Sequence, residues 1–335
     1  MDVVRHLVGI QAQAPLAPEL AIRARAERLT LEDVDRARLE ERSVVRTWAM
    51  RGTLHVIAAE DHGWLVSLTM ERWFAGARRR LAQEGVPWNT AERAVGLIDD
   101  MLAADGPLTR GEIADRLRRR RVRTDGQAIA YLVGLAAARG VCCYGPKRNG
   151  QPAFALVRDW LGATRSLDRD DALAELAIRY LGAHGPAEPA DLAAWSGLRA
   201  ADARRAWGLV GDRLAEVETV RGTLWRLRSR RAEAPEGLVR LLPMFDEYLM
   251  GWRTREMVLP QKHERLVVPG GGMIRQAAVV DGVVAATWAA EANRGRLLVT
   301  VRPVAKPSAP VRRSVESEAG DVARFRGLGG DLVLE

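Results

Sequence analysis

The chain has 335 residues, of which 47% are apolar and 28% charged, and its formal net charge is +8. This length exceeds one ordinary hydrophobic core and indicates roughly two to four domains. No apolar run is long enough to cross a bilayer, and no signal peptide begins the chain. These features exclude a membrane-spanning helix and predict a cytoplasmic protein. The two cysteines, Cys142 and Cys143, are adjacent and poorly placed to form a disulfide, which also fits a reducing cytoplasm.

The positive charge is almost entirely arginine, because the chain contains only three lysines, at positions 147, 262 and 306. An excess of cations favours an anionic partner, most obviously nucleic acid. A composition rich in arginine and alanine but poor in lysine is also typical of any protein from a GC-rich genome. Charge alone therefore leaves both explanations open.

The first domain is expected over residues 1–103, and it begins with the unusual stretch IQAQ. In an extended segment, residues two apart face the same side, so the amides of Gln11 and Gln13 would point into one cleft. A polar loop whose glutamines cap backbone groups is the plainer explanation.

Further along this domain, a helix near residues 31–41 is predicted from Thr30, with Asp33 at the capping-box position. The stretches VVRTWAM and TLHVIA follow as two strands joined at Arg51-Gly52. A basic hairpin with an aromatic residue suits contact with a DNA backbone, although a half-buried hairpin with its tryptophan in the core has the same pattern. The candidate DNA contacts here are Arg46, Trp48, Arg51, Thr53 and His55.

The second domain is expected over residues 104–165. Thr109 and Glu112 form a capping-box pattern, Thr124-Asp125 should begin the next helix, and VCCY and PAFALV should be strands around the turn GPKRNGQ. Helix, helix and a two-stranded wing is the winged-helix pattern. The candidate phosphate contacts are two arginines of the run at 118–121 and the cations of the wing tip: Arg119, Arg121, Lys147 and Arg148.

The same plan returns in the third domain, expected over residues 166–232, with a helix near 200–210 and the strands LAEVETV and TLWRL. The C-terminal domain, residues 233–335, is rich in strands, with a hairpin at Asp281-Gly282 and a last helix near 314–325. The expected fold class is therefore α+β, with three tandem winged helices and a small C-terminal β-barrel.

A winged helix most often binds DNA, but it also serves as a protein-interaction module. The repeats alone leave open an enzyme, a non-catalytic DNA-binding regulator and, with least support given the charge, a protein scaffold. Regulators usually carry one winged helix and dimerise. Three units in one chain favour a monomer that wraps a single site on duplex DNA.

Five stretches resemble the winged-helix DNA glycosylase family of the AlkZ and YcaQ type: VVRHLVGIQAQ, VVRTWAMRGTLHVI, GPKRNGQPAFAL, LLPMFDEYLMGW and VVDGVVAATW. The resemblance extends from residue 3 to residue 288. It implies three winged helices and a β-barrel around a DNA channel. Members of the family usually carry about 25–30 further residues before the glutamines, whereas ten precede Gln11 here; the resemblance therefore implies either a first domain that is short at its N-terminal end or a misassigned start codon. It also implies that Gln11 and Gln13 are the catalytic residues of a glycosylase that excises N-alkylated purines, N7-alkylguanine above all, and in some members unhooks interstrand crosslinks.

The implied chemistry agrees with the residue types. A glutamine amide can orient water and stabilise charge through its dipole, but it transfers no proton at neutral pH. An N7-alkylated guanine is already cationic, so it leaves without a general acid. Three lysines make a Schiff-base lyase step improbable, and we expect a monofunctional enzyme.

An acidic stretch, FDEY, supplies Asp246, Glu247 and Tyr248. No His or Cys lies at metal-ligand spacing from these carboxylates, so we expect neither a metal nor any other cofactor. We expect these residues to bond arginines across a domain junction, with a contact to the lesion strand as the alternative.

Overall fold

The computed structural model describes residues 2–230 and 236–335, and it combines helices with four β-sheets. Three consecutive segments share one order of elements: a helix, then a short strand or a single bridging residue, then two helices and two strands. A fourth segment carries a larger sheet. We refer to these segments as the first, second, third and C-terminal units.

The first unit contains α1 (Asp2–Leu7), β1 (Gly9–Gln11), α2 (Ala17–Arg23), α3 (Leu31–Leu39), β2 (Val44–Trp48), β3 (Leu54–Ala58) and α4 (His62–Thr69). Its antiparallel sheet has the order β1-β3-β2. The predicted capping box is confirmed, because the side chain of Thr30 accepts from the backbone of Asp33 while the Asp33 carboxylate accepts from Thr30. The β2–β3 connection turns through Arg51, whose φ of 59° is in the left-handed region.

The second unit contains α5 (Trp73–Gln83), α6 (Trp88–Asp105), β4 (Leu108–Thr109), α7 (Arg110–Arg119), α8 (Ala128–Ala138), β5 (Cys142–Tyr144), β6 (Ala153–Leu156) and α9 (Val157–Trp160). Its sheet order, β4-β6-β5, matches that of the first unit. The capping box of Thr109 and Glu112 is confirmed. Helix α8 begins later than predicted, because Gly126 adopts a φ of 57° that no helix can include.

The third unit contains α10 (Arg169–His184), α11 (Pro189–Ser196), α12 (Ala200–Leu209), β7 (Leu214–Thr219) and β8 (Gly222–Leu227). Ala187 pairs with Trp225 and so occupies the third strand position of the repeated plan. The predicted helix and both strands are confirmed here. The expected boundary at residue 233 lies outside the described residues.

The C-terminal unit contains β9 (Val239–Leu242), α13 (Glu247–Met250), α14 (Glu264–Val267), β10 (Ala277–Val280), β11 (Val283–Asn293), β12 (Arg296–Pro303), α15 (Ala309–Phe325) and β13 (Gly329–Leu334). The hairpin at Asp281-Gly282 is confirmed, since both residues have the positive φ of a two-residue turn. Helix α15 begins five residues before the predicted start, because Pro310 fits the first turn of a helix.

The expected barrel does not close in the part of the chain that the structure describes. The five strands run in the order β13-β12-β11-β10-β9, so β9 and β13 are the two edges of one sheet. Helix α15 packs against both edge strands, which leaves the sheet covered by a helix instead of joined edge to edge.

One hydrophobic core contains residues of all four units, with Cys143 as a member from the second unit. It includes Ile57 of the first unit, Tyr180 and Trp195 of the third unit, and Leu249 and Val279 of the C-terminal unit. Ile10 and Ala12 of the stretch IQAQ belong to a second core, which is built from the first and C-terminal units. Residues far apart in sequence therefore meet at Gln11, whose backbone N–H bonds Glu247.

Candidate active site

Gln11 and Gln13 lie side by side at the end of β1. Gln11 is the last residue of the strand and pairs with His55 of β3, while Gln13 lies just beyond it. The amide nitrogen Nε2 of Gln11 donates to Oε1 of Gln13 at 2.7 Å. The side chains therefore share one side, as the extended spacing predicts. They differ in accessibility, because Gln11 is 4% exposed and Gln13 is open to solvent.

Arg51 determines how the two amides are oriented. Its Nη2 donates to Oε1 of Gln11 at 2.9 Å. A guanidinium has only donors, so the carbonyl of Gln11 must face Arg51 and its NH2 must face Gln13. The result is a directed chain from Arg51 through Gln11 to Gln13, which leaves the exposed amide of Gln13 at the accessible end.

Neighbouring glycines allow the turn of Arg51 to pack closely against other elements. Gly197, at the end of α11, approaches the turn so closely that a β-carbon there would lie 3.0 Å from the Arg51 nitrogen. Gly52 faces Trp73, where a β-carbon would collide with the indole ring. Burial lowers the pKa of Arg51, and Glu247 partly opposes that shift.

Glu247 lies behind the amides and is fully buried. Its Oε1 accepts the backbone N–H of Gln11 at 2.8 Å, and its Oε2 accepts the indole N–H of Trp195 at 2.8 Å. Burial raises the pKa of Glu247, while Arg51 and the two N–H donors act in the opposite direction. This carboxylate connects β1, α11 and α13 at one point.

The neighbours of Glu247 in the FDEY stretch bond other parts of the junction. Asp246 is buried and forms two hydrogen bonds with Arg25 of the first unit, at 2.6 and 2.9 Å. The Tyr248 hydroxyl donates to the carbonyl of Gly282 at 2.7 Å. The Asp246–Arg25 pair is an ion pair of the kind expected across a domain junction.

The structure corrects the expectation that His55 contacts DNA, because His55 has no exposed surface. Its Nδ1 lies 3.0 Å from the carbonyl oxygen of Thr53, and burial lowers the pKa of His55 to about 3. Residues alternate faces along a strand, and the pattern alone does not tell which face is covered. Thr53 itself is half-buried and donates to the carbonyl of Met50 at 3.3 Å.

The other residues of the first hairpin also make internal contacts. The Nη2 of Arg46 donates to the carbonyl of Ala12 at 2.6 Å, which holds the backbone between the two glutamines. Trp48 stacks on Tyr144 of the second unit, with ring centroids 5.6 Å apart. The guanidinium of Arg46 lies 5.0 Å from the centre of the same tyrosine ring. These contacts join the first and second units beside the glutamines.

Of the candidate phosphate contacts in the second unit, three are exposed to solvent and one is bonded within the protein. Lys147, Arg119 and Arg121 are exposed. Arg148 instead forms an ion pair with Glu112 at 3.0 Å and donates to the carbonyl of Pro107 at 2.9 Å. At the tip of this hairpin, Lys147 is therefore the accessible cation.

Sequence reasoning missed Trp195, Gly197 and Arg25, which complete the surroundings of the glutamines. No local pattern in the sequence connects residues of different units, so these three were not predicted. Within residues 2–230 and 236–335, no group of three or more His, Cys, Asp or Glu side chains could hold a metal ion. No helix in that same part of the chain is long and apolar enough to cross a bilayer.

Comparison with known proteins identifies the family. The family model described as DNA glycosylase AlkZ-like matches residues 4–325. The chain belongs to this family. The expected family is thereby confirmed, and with it the expected activity: the protein is a DNA glycosylase, a hydrolase of N-glycosidic bonds whose substrate is DNA.

A comparison of sequences and a comparison of structures show how far the similarity extends. The chain is 32% identical over 355 aligned positions to the interstrand DNA cross-link repair glycosylase of Streptomyces sahachiroi. The alignment covers 98% of this chain and 91% of that protein. The chain also superposes on the structure of Streptomyces sahachiroi DNA glycosylase AlkZ with a TM-score of 0.81 and 30% identity. That alignment covers 99% of this chain and 93% of the other.

Proposed function

We propose that this glycosylase hydrolyses the N-glycosidic bond of N-alkylated purines in duplex DNA, N7-alkylguanine in particular, with Gln11 and Gln13 as its catalytic residues. The observation that carries the proposal is the oriented amide pair, of which Gln13 is accessible and Gln11 is fixed by Arg51. Because a relative is named for interstrand cross-link repair, we also propose that crosslinked N-alkylpurines are substrates.

The amide pair suits a leaving group that is already positively charged. The Oε1 of Gln13 accepts one hydrogen bond from Gln11 and keeps a second lone pair, which can accept from a water molecule. Amide dipoles then stabilise the developing oxocarbenium and direct the water at the sugar. His55 cannot act as a general acid, because it is sealed in the interior with a pKa of about 3. A cationic purine needs no such acid.

We propose that the three repeated units are winged helices, with domains at 1–103, 104–165 and 166–232. We also propose that residues 233–335 form a barrel-like domain in which α15 lies between the edge strands β9 and β13, which do not pair with each other. The repeated element order and the matching sheet orders support this division. In this proposal Lys147, Arg119 and Arg121 contact DNA while Arg51 orients Gln11, and the enzyme acts as a cytoplasmic monomer on nucleoid DNA without a cofactor.

The test is single-turnover release of N7-methylguanine from a duplex, followed by alkaline cleavage of abasic sites. We expect Gln13→Ala and Gln11→Ala to abolish release while DNA affinity stays close to that of the wild type. Strands should break only after alkali, as the absence of a lyase step requires. The matched control is Gln83→Ala, because Gln83 is an exposed glutamine on α5. Wild-type release by both site variants would refute the proposal.

A further inference from the structure

The buried carboxylate of Glu247, in the C-terminal unit, bonds both the first and the third unit at the candidate site. Glu247 lies 236 positions from Gln11 in the sequence, yet it accepts the backbone N–H of Gln11. Its other oxygen accepts from Trp195. A carboxylate can accept both N–H groups on separate oxygens, whereas an amide has one oxygen for two donors.

The charge of Glu247 also has a counterpart nearby. The charged groups that face Glu247 are Arg51, on the turn between β2 and β3, Asp246, its neighbour in sequence, and Arg25 of the first unit. His184 of α10 packs on Trp195 with ring centroids 5.4 Å apart, and burial lowers its pKa to about 3, so it is neutral above that pH. Asp246 is paired with Arg25. The four charges therefore sum to zero, and loss of the Glu247 charge would leave Arg51 uncompensated beside the amides.

An uncompensated cation would oppose the proposed chemistry. The reaction creates positive charge on the sugar, and a positive guanidinium one hydrogen bond from Gln11 repels it. A buried anion behind the amides cancels this repulsion in a region where little solvent screens charge. Resting on the function proposed above, we propose that Glu247 is the positioning residue of the site: its carboxylate fixes the backbone of Gln11 and offsets the charge of Arg51.

Three variants separate the shape of Glu247 from its charge. Glu247→Gln removes the charge but sets an NH2 against one of the two N–H donors. Trp195→Phe keeps the charge and removes one donor. The double variant E247Q/W195F removes both the charge and the donor conflict, so its amide oxygen remains free to accept the N–H of Gln11.

We expect E247Q/W195F to fold, to bind duplex DNA as tightly as Trp195→Phe, and to release N7-methylguanine roughly 10-fold to 100-fold more slowly than that control. In the wild type and in Trp195→Phe, release should slow on acidification, through the pKa of Glu247 that burial raises. The double variant should lack this acid limb. Equal release rates in the double variant and in Trp195→Phe would overturn the proposal.

A second measurement keeps this inference separate from the proposed function. The side-chain amide resonances of Gln11 and Gln13, assigned by their loss in the alanine variants, should shift as Glu247 titrates and should not do so in E247Q/W195F. If the wild type releases no base, the proposed function fails, while the shifts still decide the role of Glu247. If the chemical shifts of these amides do not change as Glu247 titrates, the positioning role of Glu247 is wrong, whether or not the enzyme releases base.

Discussion

Replacing Gly197 by alanine tests whether Arg51 must be in position for base release. Gly197 has a φ of 82°, and a β-carbon there would lie 3.0 Å from the nitrogen and 3.1 Å from the Cα of Arg51. Ordinary contacts begin at 3.4 Å, so the turn has to move by about 0.4 Å. A misplacement of 1 Å in a catalytic group costs about 100-fold, so we expect on the order of a tenfold loss of single-turnover rate in Gly197→Ala.

The matched control is Gly140→Ala. Gly140 follows the last turn of α8 with a φ of 73°, and a β-carbon there would meet no other atom within 4 Å. Both substitutions carry the cost of a left-handed alanine, roughly 1–2 kcal/mol of unfolding free energy. Only Gly197→Ala also displaces Arg51. Urea unfolding should therefore show destabilisation in both variants, somewhat larger in Gly197→Ala because of its added steric contact. Single-turnover release by the folded protein should be slower in Gly197→Ala alone. Equal release rates in the two alanine variants would refute the role given to Arg51.

Two further predictions concern protonation and DNA contact. In the folded protein the pKa of His55 is about 3, below its ordinary value of 6.5, so His55 is protonated first in the unfolded chain as the pH falls. This preferential protonation lowers the unfolding free energy by roughly 2 kcal/mol between pH 6.5 and pH 5. Urea unfolding at both pH values should show a smaller loss in His55→Asn, and an equal loss would contradict the burial argument. Lys147→Ala should reduce the slope of the log of the DNA association constant against log salt concentration by about one. Arg148→Ala breaks an internal ion pair and should leave this slope unchanged. Equal slopes for Lys147→Ala and the wild type would show that this wing does not touch phosphate.

Local signals in the sequence predicted the features that local physics decides. The capping boxes at Thr30 and Thr109 and the turn at Asp281-Gly282 depend on neighbours within a few residues, and all three are confirmed. The burial of His55 depends instead on which face of a strand the rest of the protein covers. A strand pattern gives the alternation but does not assign the faces.

The candidate site shows the same division between local and long-range information. The spacing of Gln11 and Gln13 was compatible with amides on one side but left a polar loop as the plainer explanation, and only the structure shows that the two amides are hydrogen-bonded. The contact of Glu247 with Gln11 and Trp195 joins three units of the chain, and no periodicity or motif encodes such a meeting. The open sheet was unpredictable for a similar reason, because closure depends on how the edges β9 and β13 meet α15.

The junction around Gln11 limits how this protein can be cut, swapped or opened. Separating the first unit from the C-terminal unit would break the ion pair of Asp246 with Arg25 and the hydrogen bond from Gln11 to Glu247. Stranded buried charges are strongly unfavourable. A chimaera that transplants residues 2–69 alone would therefore carry the glutamines but lose their support, and any hinge that admits a bulky lesion has to bend elsewhere in the molecule.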